Sequence, residues 1–173
     1  MDAAALRRLI RDIPDFPKPG ILFRDVTPLL LDAAALRAAV EAMAAPFRDA
    51  RVERVLGIES RGFLLGPSVA LALGAGFALV RKHGKLPWNT HRVEYSLEYG
   101  TDVVEMHADA VDPGQRVLVV DDLIATGGTA AAAVELVRRA GGVCVGASFL
   151  IELTPLGGRA RLGDLPVHTV IAY

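Results

Sequence analysis

The run Val117-Leu118-Val119-Val120-Asp121-Asp122-Leu123-Ile124-Ala125-Thr126-Gly127-Gly128-Thr129 decides how this chain folds. Its first four residues are continuously apolar and mostly valine, the pattern of a parallel strand buried on both faces. Two carboxylates end that strand, a turn follows, and Thr-Gly-Gly-Thr opens a helix over about 129–140. A helix start presents unpaired N–H groups and a partial positive charge. Two glycines let the backbone approach an anion closely, and the hydroxyls of Thr126 and Thr129 add donors. The result is a phosphate cradle at the carboxyl edge of a sheet, where open α/β folds bind ligands. Asp121 and Asp122 stand just before it and suit the hydroxyls of the same ligand, as in a ribose carrying a 5′-phosphate. The plain alternative is a helix cap beside a structural acid pair, but such a pair is costly to bury without a partner. No Lys-Ser/Thr follows the glycines, and no Gly-x-Gly-x-x-Gly follows the strand, so neither a triphosphatase loop nor a dinucleotide fingerprint is present.

Outward from this run, strands and helices alternate. Leu6, Leu9, Ile10 and Ile13 have helical spacing, with Pro14 as the stop. Residues 14–28 are too rich in proline for a helix. Asp32 suits the cap of a helix through Leu36, Val40 and Met43 to about Ala45. Residues 54–58 read as a buried strand, Glu59-Ser60-Arg61-Gly62 as a loop, and a helix then runs to about Leu73. Residues 77–80 form the next strand. Residues 81–95, with Gly84, Pro87 and Trp88, form a mobile loop or hairpin arm. Residues 95–99 and 103–106 can pair as short strands around Gly100. Asp112-Pro113-Gly114 is a turn, 143–150 a strand and 167–172 an edge strand. The pattern predicts an α/β fold: a single domain over 1–173 with a mostly parallel twisted sheet flanked by helices.

Composition narrows the function classes. The chain has 173 residues, 52% hydrophobic and 23% charged, enough apolar material for one cored domain. Its net charge of −1 argues against a general grip on nucleic acid or on a membrane. Residues 62–80 are uncharged, but Gly66, Pro67, Gly74 and Gly76 break them into a helix, a turn and a strand rather than a bilayer span. Cys144 is the single cysteine and sits in an apolar strand, so it reads as buried and inert. The four histidines are scattered without zinc spacing, and both facts suit a reducing cytoplasm.

The central run resembles the phosphoribosyl-pyrophosphate signature of the phosphoribosyltransferases. Four further blocks occur in the order found in the adenine phosphoribosyltransferase family: 16–25 (FPKPGILFRD), 59–63 (ESRGF), 81–87 (RKHGKLP) and 95–100 (YSLEYG). The resemblance covers essentially the whole chain. It implies transfer of a phosphoribosyl group from phosphoribosyl pyrophosphate to adenine, giving AMP. Asp121 and Asp122 would hold the ribose hydroxyls, and Ala125, Thr126, Gly127, Gly128 and Thr129 would wrap the 5′-phosphate. Glu59, Ser60, Arg61, Arg81, Lys82 and Lys85 would bind pyrophosphate, with Arg61 also reaching the base region and counted among the catalytic residues. Read alone, Arg61 could simply pair with Glu59, and the three cations of 81–85 could be a solvated charge run.

Residues 1–30 would form a base-recognition segment. Phe23 would stack on adenine with Leu153 as an apolar partner, while main-chain groups of Leu22 and Arg24 read the base edge. Phe16 reads better as a core aromatic. Residues from about 81 to 100 would form a flexible lid, with Glu98 as acid/base group near N7 and Tyr99 closing the site; alone, 95–99 could equally be an exposed hairpin. A lid shields a cationic ribosyl centre from water. Mg²⁺ would be held mainly through substrate rather than by a protein metal site. The family also implies a homodimer. Two rivals remain: the same chemistry on a 6-oxopurine, and a regulator that senses phosphoribosyl pyrophosphate without catalysis.

Overall fold

The structure, a computed structural model, describes all residues except 97–99. Glu98 and Tyr99, expected in the lid, lie outside the described residues. A seven-stranded sheet forms the centre, in the order β5-β6-β4-β3-β7-β8-β9. Its parallel part comprises β3 (Arg54–Ile58), β4 (Gly76–Lys82), β7 (Arg116–Ile124), β8 (Val143–Glu152) and β9 (Val167–Ala172). An antiparallel hairpin, β5 (Thr90–Ser96) and β6 (Thr101–His107), extends the β4 edge.

Alternation along β7 explains the layers. Leu118 and Val120 join one apolar cluster with Met43 and Val69, whereas Val117 and Val119 join another with Leu136 and Phe149. The first cluster packs under α3 (Ala33–Ala44) and α4 (Gly62–Leu73), the second under α5 (Gly128–Arg139). All four β7 residues are fully buried, as the apolar run predicts. Asp32 caps α3 by accepting from the Ala34 and Ala35 N–H groups.

Four expectations need correction. The strand expected over 95–99 instead begins earlier, as β5 (Thr90–Ser96), within the stretch read as a loop or arm, because its residues pair in register with β6. The first helix is short, α1 (Ala3–Arg7); residues 11–14 instead form β1 (Arg11–Pro14), antiparallel to β2 (Leu22–Asp25). Proline is tolerated there because it sits at a strand end, opposite Leu22. A further short helix, α2 (Thr27–Leu31), fills the stretch before Asp32. Phe16 is 50% exposed rather than in the core, edge-on to Phe23 at 5.1 Å between ring centroids. Among the described residues, no helix is long and apolar enough to cross a membrane.

Candidate active site

The cradle forms where the run of Asp121 to Thr129 leaves the sheet. Strand β7 continues past the acid pair to Ile124, so the carboxylates lie within its end rather than beyond it. Asp121 and the segment 123–130 line a cavity of about 110 Å³ at the start of α5. Gly127 caps that helix at φ 78°, a conformation only glycine adopts freely. It is also pressed by a neighbour: a Cβ at Gly127 would fall 2.2 Å from the Gly158 main-chain oxygen. The reverse holds too, since a Cβ at Gly158 would fall 2.2 Å from the Ala125 oxygen. Backbone therefore packs on backbone behind the cradle. Gly158 was not singled out in the sequence, where only the doubled glycine at 157–158 marks it.

The turn that carries Gly158 is fastened to the sheet. Arg159 donates to Glu152 through Nε at 3.2 Å and Nη2 at 2.6 Å, and the Thr169 hydroxyl donates to the same carboxylate at 2.9 Å. The Arg159 fork holds the Glu152 carboxyl below the usual range, against the opposing effect of burial.

The acid pair is electrostatically unusual. Burial pushes the Asp121 carboxyl well above the ordinary aspartate range, and the Asp122 charge adds to the shift. Burial raises Asp122 as well, against the pull of Arg61. Arg61 Nε stands 3.0 Å from Asp122 Oδ2, so Arg61 pairs with this aspartate and not with Glu59. Its guanidinium also stands 4.8 Å from the Phe23 ring centroid. The loop that carries Arg61 approaches β7 because Gly62 has no side chain: a Cβ there would meet the Val120 oxygen at 2.9 Å.

Glu59 takes a different partner. Arg81 Nε and Nη2 each donate to it at 3.1 Å, and the Lys82 N–H adds a third bond of 3.1 Å. The Arg81 hydrogen bonds hold its carboxyl low despite burial, and Lys85 adds a weaker pull. Lys82 Nζ lies 3.5 Å from Asp102. Glu59, Arg81, Lys82 and Asp102 line a second cavity of about 280 Å³ with Tyr95 and Thr129. Thr129 lines both cavities, and its hydroxyl donates to the Tyr95 oxygen at 3.2 Å. The hairpin thus touches the cradle through Tyr95, a residue noted in the sequence only as part of a lid.

On the far side, β2 carries Leu22, Phe23 and Arg24. Leu22 is 44% exposed and Phe23 half-buried, while Leu153 is half-buried at the end of β8, its N–H bonded to the Ile124 oxygen at 3.0 Å. Ser60 lies between Glu59 and Arg61, joined to Glu59 by a cis peptide. Among the described residues, no three His, Cys, Asp or Glu side chains gather to hold a metal ion. Burial pushes the Cys144 thiol up to about 11.

A mostly parallel sheet with an anion cradle beside a buried acid pair is the architecture of a phosphoribosyl transferase domain, and the family of that description matches residues 30–161. The adenine phosphoribosyltransferase of Methylobacterium sp. (strain 4-46) is 56% identical over 172 residues, covering 98% of this chain and 95% of that protein. The crystal structure of adenine phosphoribosyltransferase from Rhodothermus marinus superposes with a TM-score of 0.95 at 56% identity, covering 99% and 98% of the two chains. The Saccharomyces cerevisiae enzyme, solved with adenine and an imino-altritol bisphosphate, gives 0.92 at 41% identity, covering 97% of each chain. The chain belongs to the adenine phosphoribosyltransferase family.

Proposed function

We propose that this protein transfers the 5-phosphoribosyl group of phosphoribosyl pyrophosphate to N9 of adenine, forming AMP and releasing pyrophosphate. The observation that carries this reading is the backbone cradle of 125–129 beside the half-buried Asp121, which lines its cavity, and the buried Asp122. Ala125 to Thr129 bind the 5′-phosphate, and Asp121 and Asp122 accept from the ribose hydroxyls. Glu59, Ser60, Arg61, Arg81, Lys82 and Lys85 form the pyrophosphate side. There Glu59 fixes the Arg81 fork, and Arg61 supplies a planar cation between ribose and base. Phe23 offers the stacking face and Leu153 the opposite wall. Main-chain groups of Leu22 and Arg24 select adenine because a 6-oxopurine would present donors to donors and acceptors to acceptors.

In the reaction the C1–oxygen bond to pyrophosphate breaks and the C1–N9 bond forms. Adenine gives up one ring proton, and Glu98 takes it near N7. Stabilisation comes from positioned charge rather than from a protein nucleophile. Mg²⁺ held mainly through substrate oxygens would neutralise charge on the leaving pyrophosphate. Residues 81–100 act as a lid, the half-buried Cys144 suits a reducing cytoplasm, and the exposed Leu64 and Leu71 of α4 support association with a second copy.

Adenine-dependent pyrophosphate release by the purified protein tests the reading. Release with adenine in preference to hypoxanthine, xanthine and guanine is expected. Preference for a 6-oxopurine overturns the base assignment, and binding of phosphoribosyl pyrophosphate without release with any purine overturns the catalytic one.

A further inference from the structure

Among the described residues, the ribbon of β1 and β2 pairs with no strand of the seven-stranded sheet. Two-stranded ribbons are marginal on their own, yet the proposed base-reading residues sit on this one. Its attachment to the body therefore matters for the geometry of the base site. Asp25 fixes the turn from β2 into α2 by accepting from the Thr27 N–H at 2.9 Å and hydroxyl at 2.8 Å.

The Arg24 side chain makes the other attachment. It is largely buried, and its guanidinium carbon stands 3.8 Å from the centroid of the Tyr173 ring. One Arg24 nitrogen pairs with Asp12, whereas Nε is buried with no hydrogen-bond partner among the described residues. A buried cation short of one partner leans on the aromatic face for compensation. Arg7 reaches the same ring at 4.1 Å and donates to the Ala172 oxygen at 2.9 Å.

The main chain of Tyr173 grips the two residues that flank Leu153. Its N–H donates to the Glu152 oxygen at 2.9 Å. Its main-chain oxygen accepts from the Thr154 N–H at 3.0 Å and the Thr154 hydroxyl at 2.5 Å. Tyr173 thus holds the residue after Phe23 through its ring, and the residues on either side of Leu153 through its backbone.

We propose that Tyr173 is a positioning residue for adenine, tying the β2 strand to the Leu153 corner and so setting the width of the base site. The proposal rests on the assignment of Phe23 and Leu153 to adenine. Among the described residues, Tyr173 touches none of those assigned to the phosphoribosyl group, and Arg61 is the link between the two subsites, so the effect falls chiefly on the base.

Steady-state kinetics with each substrate varied in turn test it. Tyr173→Leu keeps an apolar side chain but removes the aromatic face; it raises the adenine KM about tenfold, the scale of one desolvated stack, and leaves the phosphoribosyl-pyrophosphate KM unchanged. Tyr173→Phe keeps the face and behaves as wild type. Phe23→Ala, assayed in parallel, raises the adenine KM. If Phe23→Ala has its effect and Tyr173→Leu has none, Tyr173 is not a positioning residue. An equal rise of both KM values in Tyr173→Leu, with a lowered Tm, marks a merely structural role and also overturns the proposal. An unchanged adenine KM in Phe23→Ala defeats the base-site assignment itself.

Discussion

Arg61 and Asp122 meet across the mouth of the site, with Nε 3.0 Å from Oδ2, and the same guanidinium covers the Phe23 ring. One side chain therefore bridges the proposed ribose and base subsites. Arg61→Ala is expected to lower kcat/KM for phosphoribosyl pyrophosphate by about 10²-fold, the scale of a lost charge-assisted contact in a preorganised site. Arg61→Lys keeps the charge but not the planar fork and should recover little of the loss. Full recovery by lysine would reduce the role of Arg61 to charge alone.

Asp121 should trade stability for binding. Its folded-state pKa is raised by burial and by Asp122. Below the unfolded value, about 3.9, both states are protonated and the group contributes nothing. As pH climbs from there through the raised folded value, the unfolded state ionises first and stability falls. Asp121→Asn should therefore raise Tm at neutral pH while weakening phosphoribosyl pyrophosphate. Thermal melts at neutral pH and near pH 4 check the sign: the gain must shrink on acidification, and a gain that grows there contradicts the burial argument.

Gly158→Ala places a methyl group against the Ala125 oxygen. Overpacking of this kind costs about 1–3 kcal/mol, and here the cradle must give way. The expected result is a phosphoribosyl-pyrophosphate KM raised about tenfold or more, with the adenine KM unchanged. Equal changes in both constants would show that the turn supports the whole site and not the cradle.

Glu98→Gln removes the proposed proton acceptor without changing shape. Turnover should drop by about 10²-fold or more, the usual scale of general base catalysis, with phosphoribosyl-pyrophosphate affinity preserved. Isothermal titration beside turnover assays separates the two, and undiminished turnover rejects the role.

Much of this architecture was legible in the chain. The valine run of 117–120, the Asp32 cap and the glycines of 127–128 each carry a local physical signal, and each element stands where that signal places it. The ribbon strand β1 was not legible, because Leu6, Leu9, Ile10 and Ile13 keep helical spacing straight through the α1 end and Pro14 looks like a helix stop. Tertiary pairing with β2 overrode that pattern. In the site, the cradle and its acids were visible because their types adjoin in sequence. The exchange of partners was not: Arg61 reaches Asp122, and Arg81 reaches Glu59. Such pairings depend on which strand ends are neighbours. Gly158 carries no local signal for a related reason, since only three-dimensional contact shows what a methyl group there would strike.

The contact of Gly127 with Gly158 makes two distant stretches a single portable part. A loop of the Thr-Gly-Gly-Thr type grafted onto another strand and helix would arrive without its backing and would settle differently. To transplant this cradle into a designed scaffold, the turn around Gly158 must travel with it, together with the Glu152–Arg159 fastening.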